Sequence, residues 1–131
     1  MIKMNVKTGR KEELVDITAR ISAALAETGV ADGVCHIYCP HTTCALTINE
    51  NADPDVRKDL TAGYRDIVSE ELPYAHAEGN STAHIKSSLT GVSLSVFVEN
   101  SALCLGTWQG VYLCEFDGPR SREVWVKAVK G

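Results

Sequence analysis

The chain has 131 residues, the size of one ordinary domain, and its composition of 44% hydrophobic and 23% charged residues supplies a core and excludes a disordered linker. Seventeen acidic against 13 basic residues give a formal net charge of −4, which argues against the concentrated basic face of a nucleic-acid binder. It does not exclude a small anionic ligand, for which two or three local cations suffice.

No stretch approaches the roughly 20 apolar residues of a membrane-spanning helix, and Met1-Ile2-Lys3-Met4-Asn5 lacks the apolar core of a signal peptide. The five cysteines are odd in number and contain no Cys-x-x-Cys pair, so reduced thiols and a cytoplasmic location are expected. Asn80-Ser81-Thr82 matches a glycosylation acceptor but stays silent without export.

Ile2, Met4 and Val6 alternate with polar residues and predict a first strand close to the N-terminus, leaving no room for an appended module. Lys11 to Val15 reads as a short strand or an extra helical turn, with strand preferred. Ile17, Ile21, Ala24 and Leu25 then recur at helical spacing, with Asp16 as the expected cap and Gly29 as the stop. Gly33 to Cys39 and Cys44 to Ile48 read as strands joined by Pro40-His41-Thr42-Thr43. Asp53-Pro54 announces a helix carried by Val56, Leu60, Tyr64 and Ile67. A polar loop over residues 73 to 81 precedes a short helix from Thr82 to Leu89, ended by Gly91. The last third reads as strands at Leu94 to Val98, Leu103 to Leu105, Val111 to Phe116 and Val124 to Val129. The expected fold is therefore α+β: one domain over residues 1–131, with two main helices and a mostly antiparallel sheet or sandwich.

Three histidines carry the chemical interest. His41 occupies the link between two strands, beside the hydroxyls of Thr42 and Thr43, while His76 and His84 flank a polar segment. Three imidazoles with an open position would suit a divalent metal, although ordinary surface hydrogen bonding explains the same residues. His36, inside a strand, reads as a packed or sheet-surface residue. Cys35, Cys39 and Cys44 lack the second knuckle of a structural zinc site and read as core filling. Glu50, at a strand end, could be a general base or support a metal-bound histidine. Lys86 and Ser88, with Arg120 and Arg122 around Gly118-Pro119, could meet an anion. Trp108, in Gly106-Thr107-Trp108-Gln109-Gly110, could stack on a ring or fill the core.

Taken together, His41-Thr42-Thr43-Cys44-Ala45-Leu46-Thr47-Ile48-Asn49-Glu50-Asn51, Asp53-Pro54-Asp55-Val56, Ala83-His84-Ile85-Lys86-Ser87-Ser88-Leu89, Gly106 to Gly110 and Phe116-Asp117-Gly118-Pro119-Arg120 resemble the YjbQ-like family. That resemblance implies a homotrimeric α+β fold with sites at subunit boundaries. It also implies a (secondary) thiamine-phosphate synthase activity, joining a thiazole phosphate to a pyrimidine carried on pyrophosphate. On it, His41, His76 and His84 form the polar centre and bind a divalent metal such as zinc or magnesium. His41, Glu50, His84 and Lys86 would be catalytic, while Thr42, Thr43, Ser88, Trp108 and Arg120 would contact substrate, with Arg120 alternatively a turn-stabilising residue. A non-catalytic binding module for a small phosphorylated metabolite and a metal-dependent hydrolase are the alternatives. Cys44 and Cys114 depart from the residues expected of the family, so thiol chemistry is not implied.

Overall fold

A computed structural model describes all residues from Met1 to Gly131. In chain order the elements are β1 (Ile2–Lys7), β2 (Glu13–Asp16), α1 (Thr18–Thr28), β3 (Gly33–Tyr38), β4 (Cys44–Glu50), α2 (Pro54–Ile67), α3 (Ser81–Thr90), β5 (Ser93–Glu99), β6 (Ala102–Leu103), β7 (Gln109–Glu115) and β8 (Ser121–Lys130). The strands form two antiparallel sheets, one ordered β1-β8-β3-β5-β6 and one ordered β2-β7-β4. The α+β expectation holds. No helix is long and apolar enough to cross a membrane.

Strand alternation makes this two-layer arrangement. On β7, Val111 and Leu113 enter the main core between the sheets, where they meet Val124 and Val126 of β8 and Ile21 and Leu25 of α1. Tyr112 and Cys114, on the opposite face, join a second cluster with Phe116, Leu14 and Ala45, covered by Ala83 of α3 and by Leu60 and Tyr64 of α2. The short sheet is thus buried on both faces. Cys35, Cys39 and Cys44 lie in the main core and Cys114 in the second, so core filling describes four cysteines, while Cys104 is exposed.

Local signals fix most helix ends. Asp53 Oδ1 accepts the Asp55 N–H at 2.9 Å, with Pro54 at the first helical position. Gly29 stops α1 at φ 70°, a left-handed value that glycine adopts without penalty. The cap of α1 sits one residue later than expected, at Ile17, which has no capping group. Asp16 compensates from the preceding position: its Oδ1 accepts from the Thr18 N–H at 2.9 Å and the Thr18 hydroxyl at 2.6 Å.

Two elements differ from expectation. The strand at Leu103 to Leu105 is only Ala102–Leu103, because Leu105 N–H bonds back to the Leu103 carbonyl instead of a neighbouring strand. The apolar stripe of α2 is incompletely covered: none of its residues is fully buried, and Ile67 is 64% exposed. Only Leu60 and Tyr64 reach the second core cluster.

Candidate active site: a histidine cleft beside an inter-sheet ion pair

On β7, Glu115 continues the core-facing series of Val111 and Leu113, so a carboxylate arrives at the rim of the main core with no exposure to solvent. Arg122 of β8 answers it from the facing sheet. Its Nε donates to Glu115 Oε1 at 2.9 Å and its Nη2 to Oε2 in a two-pronged pair. Thr8 Oγ1 donates to Glu115 Oε1 at 2.7 Å, and the Asp117 N–H donates to Oε2 at 3.2 Å. Burial works against the Arg122 charge, but bonding to Glu115 outweighs it and raises the guanidinium pKa.

This pair anchors the β3–β4 link. Arg122 Nη2 donates to Thr43 Oγ1 at 2.9 Å and to the Thr43 carbonyl at 3.3 Å. The next residue along β8, Glu123, donates its backbone N–H to His41 Nε2 at 2.9 Å. A backbone N–H can only donate, so Nε2 must accept, and the neutral His41 ring carries its proton on Nδ1.

His41, His76 and His84 all line one polar cleft of about 400 Å³, with no hydrophobic residue among its walls. His41 comes from the β3–β4 link, His84 from α3, and His76 from the loop before α3. The His76 and His84 rings meet edge to face at a centroid separation of 5.3 Å. Arg120 and Asp117, from the β7–β8 turn, close another side and pair at 2.9 Å. Burial alone would raise the Asp117 pKa, but hydrogen bonds from Asn80 and Arg120 outweigh it and hold the carboxylate below its ordinary range. Asn80 Oδ1 is buried at this cleft without a donor, while Asn80 Nδ2 is bonded to Asp117 at 2.9 Å. His41, Thr42 and His84 extend into an adjoining pocket that contains Ser88, one helical turn from His84.

Three residues expected at the site lie elsewhere. Lys86 is two positions from His84, which puts it on the opposite face of α3. There it is 1% exposed and its Nζ donates to Glu12 at 3.2 Å, so it cannot face an anion in the cleft. Glu50 lies six residues along β4 from Cys44, about 20 Å away at the usual strand rise. Its Oε2 accepts the Asp53 N–H at 3.2 Å and helps start α2. Trp108 precedes Gln109, the β7 partner of Glu50, and so belongs to that far end; at 63% exposed it does not fill the core. Thr43 is buried and committed to Arg122, whereas Thr42 is exposed at the cleft. His36 stands on the sheet surface with Nδ1 against Ser95 Oγ at 3.1 Å.

The donor set does not fit a three-histidine metal site in this conformation. Nε2 of His41 is occupied by Glu123, and protonation of Nδ1 leaves the neutral ring no free lone pair. No group of three His, Cys, Asp or Glu side chains is arranged to hold a metal ion.

Burial, joined by the nearby Arg122 charge, pushes the His41 pKa down from 6.5. The native state then takes up its proton later than the unfolded chain as pH falls. Stability from neutral His41 is therefore complete above about pH 6.5 and is lost as pH drops through the depressed native pKa. Urea midpoints measured down to acid pH should fall more steeply for wild type than for His41→Gln; parallel curves would refute the assignment.

The fold and cleft define a small α+β domain of two antiparallel sheets with a histidine-lined polar site. Residues 2–131 match the model of the UPF0047 protein YjbQ-like family, and the chain belongs to that family. The UPF0047 protein YugU of Bacillus subtilis is 51% identical over 125 residues, covering 95% of each chain. UPF0047 protein MJ1081 of Methanocaldococcus jannaschii is 48% identical over 129 residues, covering 98% of this chain and 94% of that one. Among solved structures, an uncharacterized conserved YjbQ/UPF0047 protein of Clostridium acetobutylicum superposes with a TM-score of 0.95 at 48% identity, covering 98% of this chain and all of that one. A conserved hypothetical protein of Thermus thermophilus gives a TM-score of 0.91 at 45% identity, covering 98% and 100%.

Proposed function

We propose that the histidine cleft is an acid–base active site for a small phosphorylated substrate. The convergence of His41, His76 and His84, brought from three segments into one predominantly polar cleft, carries the reading. The reaction we put first is the coupling of a thiazole phosphate to a pyrimidine carried on pyrophosphate. In it the thiazole nitrogen forms a bond to the pyrimidine methylene carbon as the carbon–oxygen bond to pyrophosphate breaks, and the leaving oxygen keeps the electron pair. Neutral His41 offers an Nδ1–H donor for the departing oxyanion, and Arg120 offers a guanidinium. His76 and His84 would supply the proton taken up by the departing pyrophosphate oxygen, the one proton transfer that this coupling needs.

This scheme uses no metal. The test follows pyrophosphate release by purified protein with and without a chelator. Turnover that survives chelation supports the scheme. Turnover lost to the chelator and restored by zinc or magnesium overturns its metal-free form, and absence of turnover overturns the choice of reaction.

A further inference from the structure

A second cavity lies outside the histidine cleft. It is a groove of about 610 Å³ between the β1–β2 connection and α2, with Leu14 its only hydrophobic wall residue. Arg10 and Lys11 enter from the connection, and Arg57, Lys58 and Arg65 from α2. The two carboxylates among them are already engaged. Glu12 takes Lys86 at 3.2 Å and Arg65 at 3.6 Å, while Glu13 accepts the backbone N–H groups of Gly9 and Arg10. Arg10, Lys11, Arg57 and Lys58 have no carboxylate within ion-pair distance. The Arg57 guanidinium lies over the Tyr112 ring at 5.1 Å, and its Nε is buried without an acceptor.

Four unpaired cations on two elements, in a protein of net charge −4, are a local concentration of positive charge that the chain leaves unneutralised. We propose that this groove binds a small oligophosphate, an anion carrying two or more linked phosphate groups. The cations stand on two separate elements, and an anion with linked phosphates can offer oxygens to both. With Leu14 the single hydrophobic wall residue, the groove has little to hold an apolar side chain of a peptide, and the overall negative charge opposes a long nucleic acid.

The groove and the cleft are neighbours without being one site. The Gly118 N–H donates to the Lys11 carbonyl at 2.9 Å, which ties the cationic connection to the turn carrying Arg120. α3 serves both from opposite faces, through Lys86 to Glu12 and through His84 to the cleft. No lining residue is shared between them, so ligand in the groove is held independently of the cleft.

Backbone amide NMR during titration with inorganic pyrophosphate, a nucleoside diphosphate and orthophosphate tests the site. The expected result is saturable shifts at residues 10–13 and 57–65 for the first two ligands, with orthophosphate weaker. A Lys11→Ala/Lys58→Ala double variant, altered only at exposed side chains, should bind at least about tenfold more weakly. His84→Ala should bind as wild type does. A pyrophosphate preference over the nucleoside diphosphate would identify the free anion as ligand, and equal binding would identify the phosphates of an organic ester as equally acceptable; both support the site. Absence of saturation, shifts confined to the histidine cleft, or unchanged affinity in the double variant would overturn it. Because His84 is absent from the groove, failure here is distinguishable from failure of the acid–base reading.

Discussion

Replacing Glu115 with alanine is expected to cost about 3–5 kcal/mol of folding stability, because it leaves the Arg122 guanidinium buried and uncompensated between the sheets. The loss also strips acceptors from Thr8 Oγ1 and the Asp117 N–H. Arg122→Met combined with Glu115→Ala should recover part of the loss, since the remaining buried charge is then gone. Urea denaturation of wild type, both single variants and the double variant measures this coupling. A Glu115→Ala loss below about 1 kcal/mol would mean that the pair does not hold the sheets together. The same pair acts on the cleft at one remove. Arg122 grips Thr43, and its neighbour Glu123 fixes the His41 ring, so both are positioning residues.

His84→Ala is expected to lower turnover in the coupling assay by about 10²- to 10⁴-fold, the usual contribution of one positioned acid or base. Its urea midpoint should barely move. His84 makes no side-chain hydrogen bond within the protein; its packing is the edge contact with His76. A structural role would instead lower stability and turnover together. Unchanged turnover in a folded His84→Ala protein would remove this residue from the chemistry.

The parts of the fold legible in the sequence are those fixed by neighbours in the chain. Gly29 stops a helix and Asp53-Pro54 starts one through local geometry alone, so both could be read directly. The pairing of β1 with β8 joins residues more than a hundred positions apart, and no local pattern encodes it. In the site, His41 and His76 stand out in the sequence because they lie in loops, whereas His84 belongs to α3 and meets them only through the packing of that helix. The assignment of Lys86 failed on a rule the sequence does contain, that positions two apart on a helix diverge. Glu50 and Trp108 stand away from the cleft of their own chain because a seven-residue β4 separates Glu50 from the cleft end, a distance that motif order alone does not convey. Glu115 was missed, although the alternation Val111, Leu113, Glu115 already pointed an acid into the core. Its partner could be known only once β8 was laid across from β7.

The central claim is that His41, His76 and His84 share one ligand site while His36 stands apart. Imidazole Cε1–H resonances followed during titration with the thiazole phosphate test it most directly. The three cleft histidines should shift along one saturation curve, and His36, held against Ser95 on the sheet surface, should stay still. Separate curves for the three, or no response from any of them at saturating ligand, would contradict a common site.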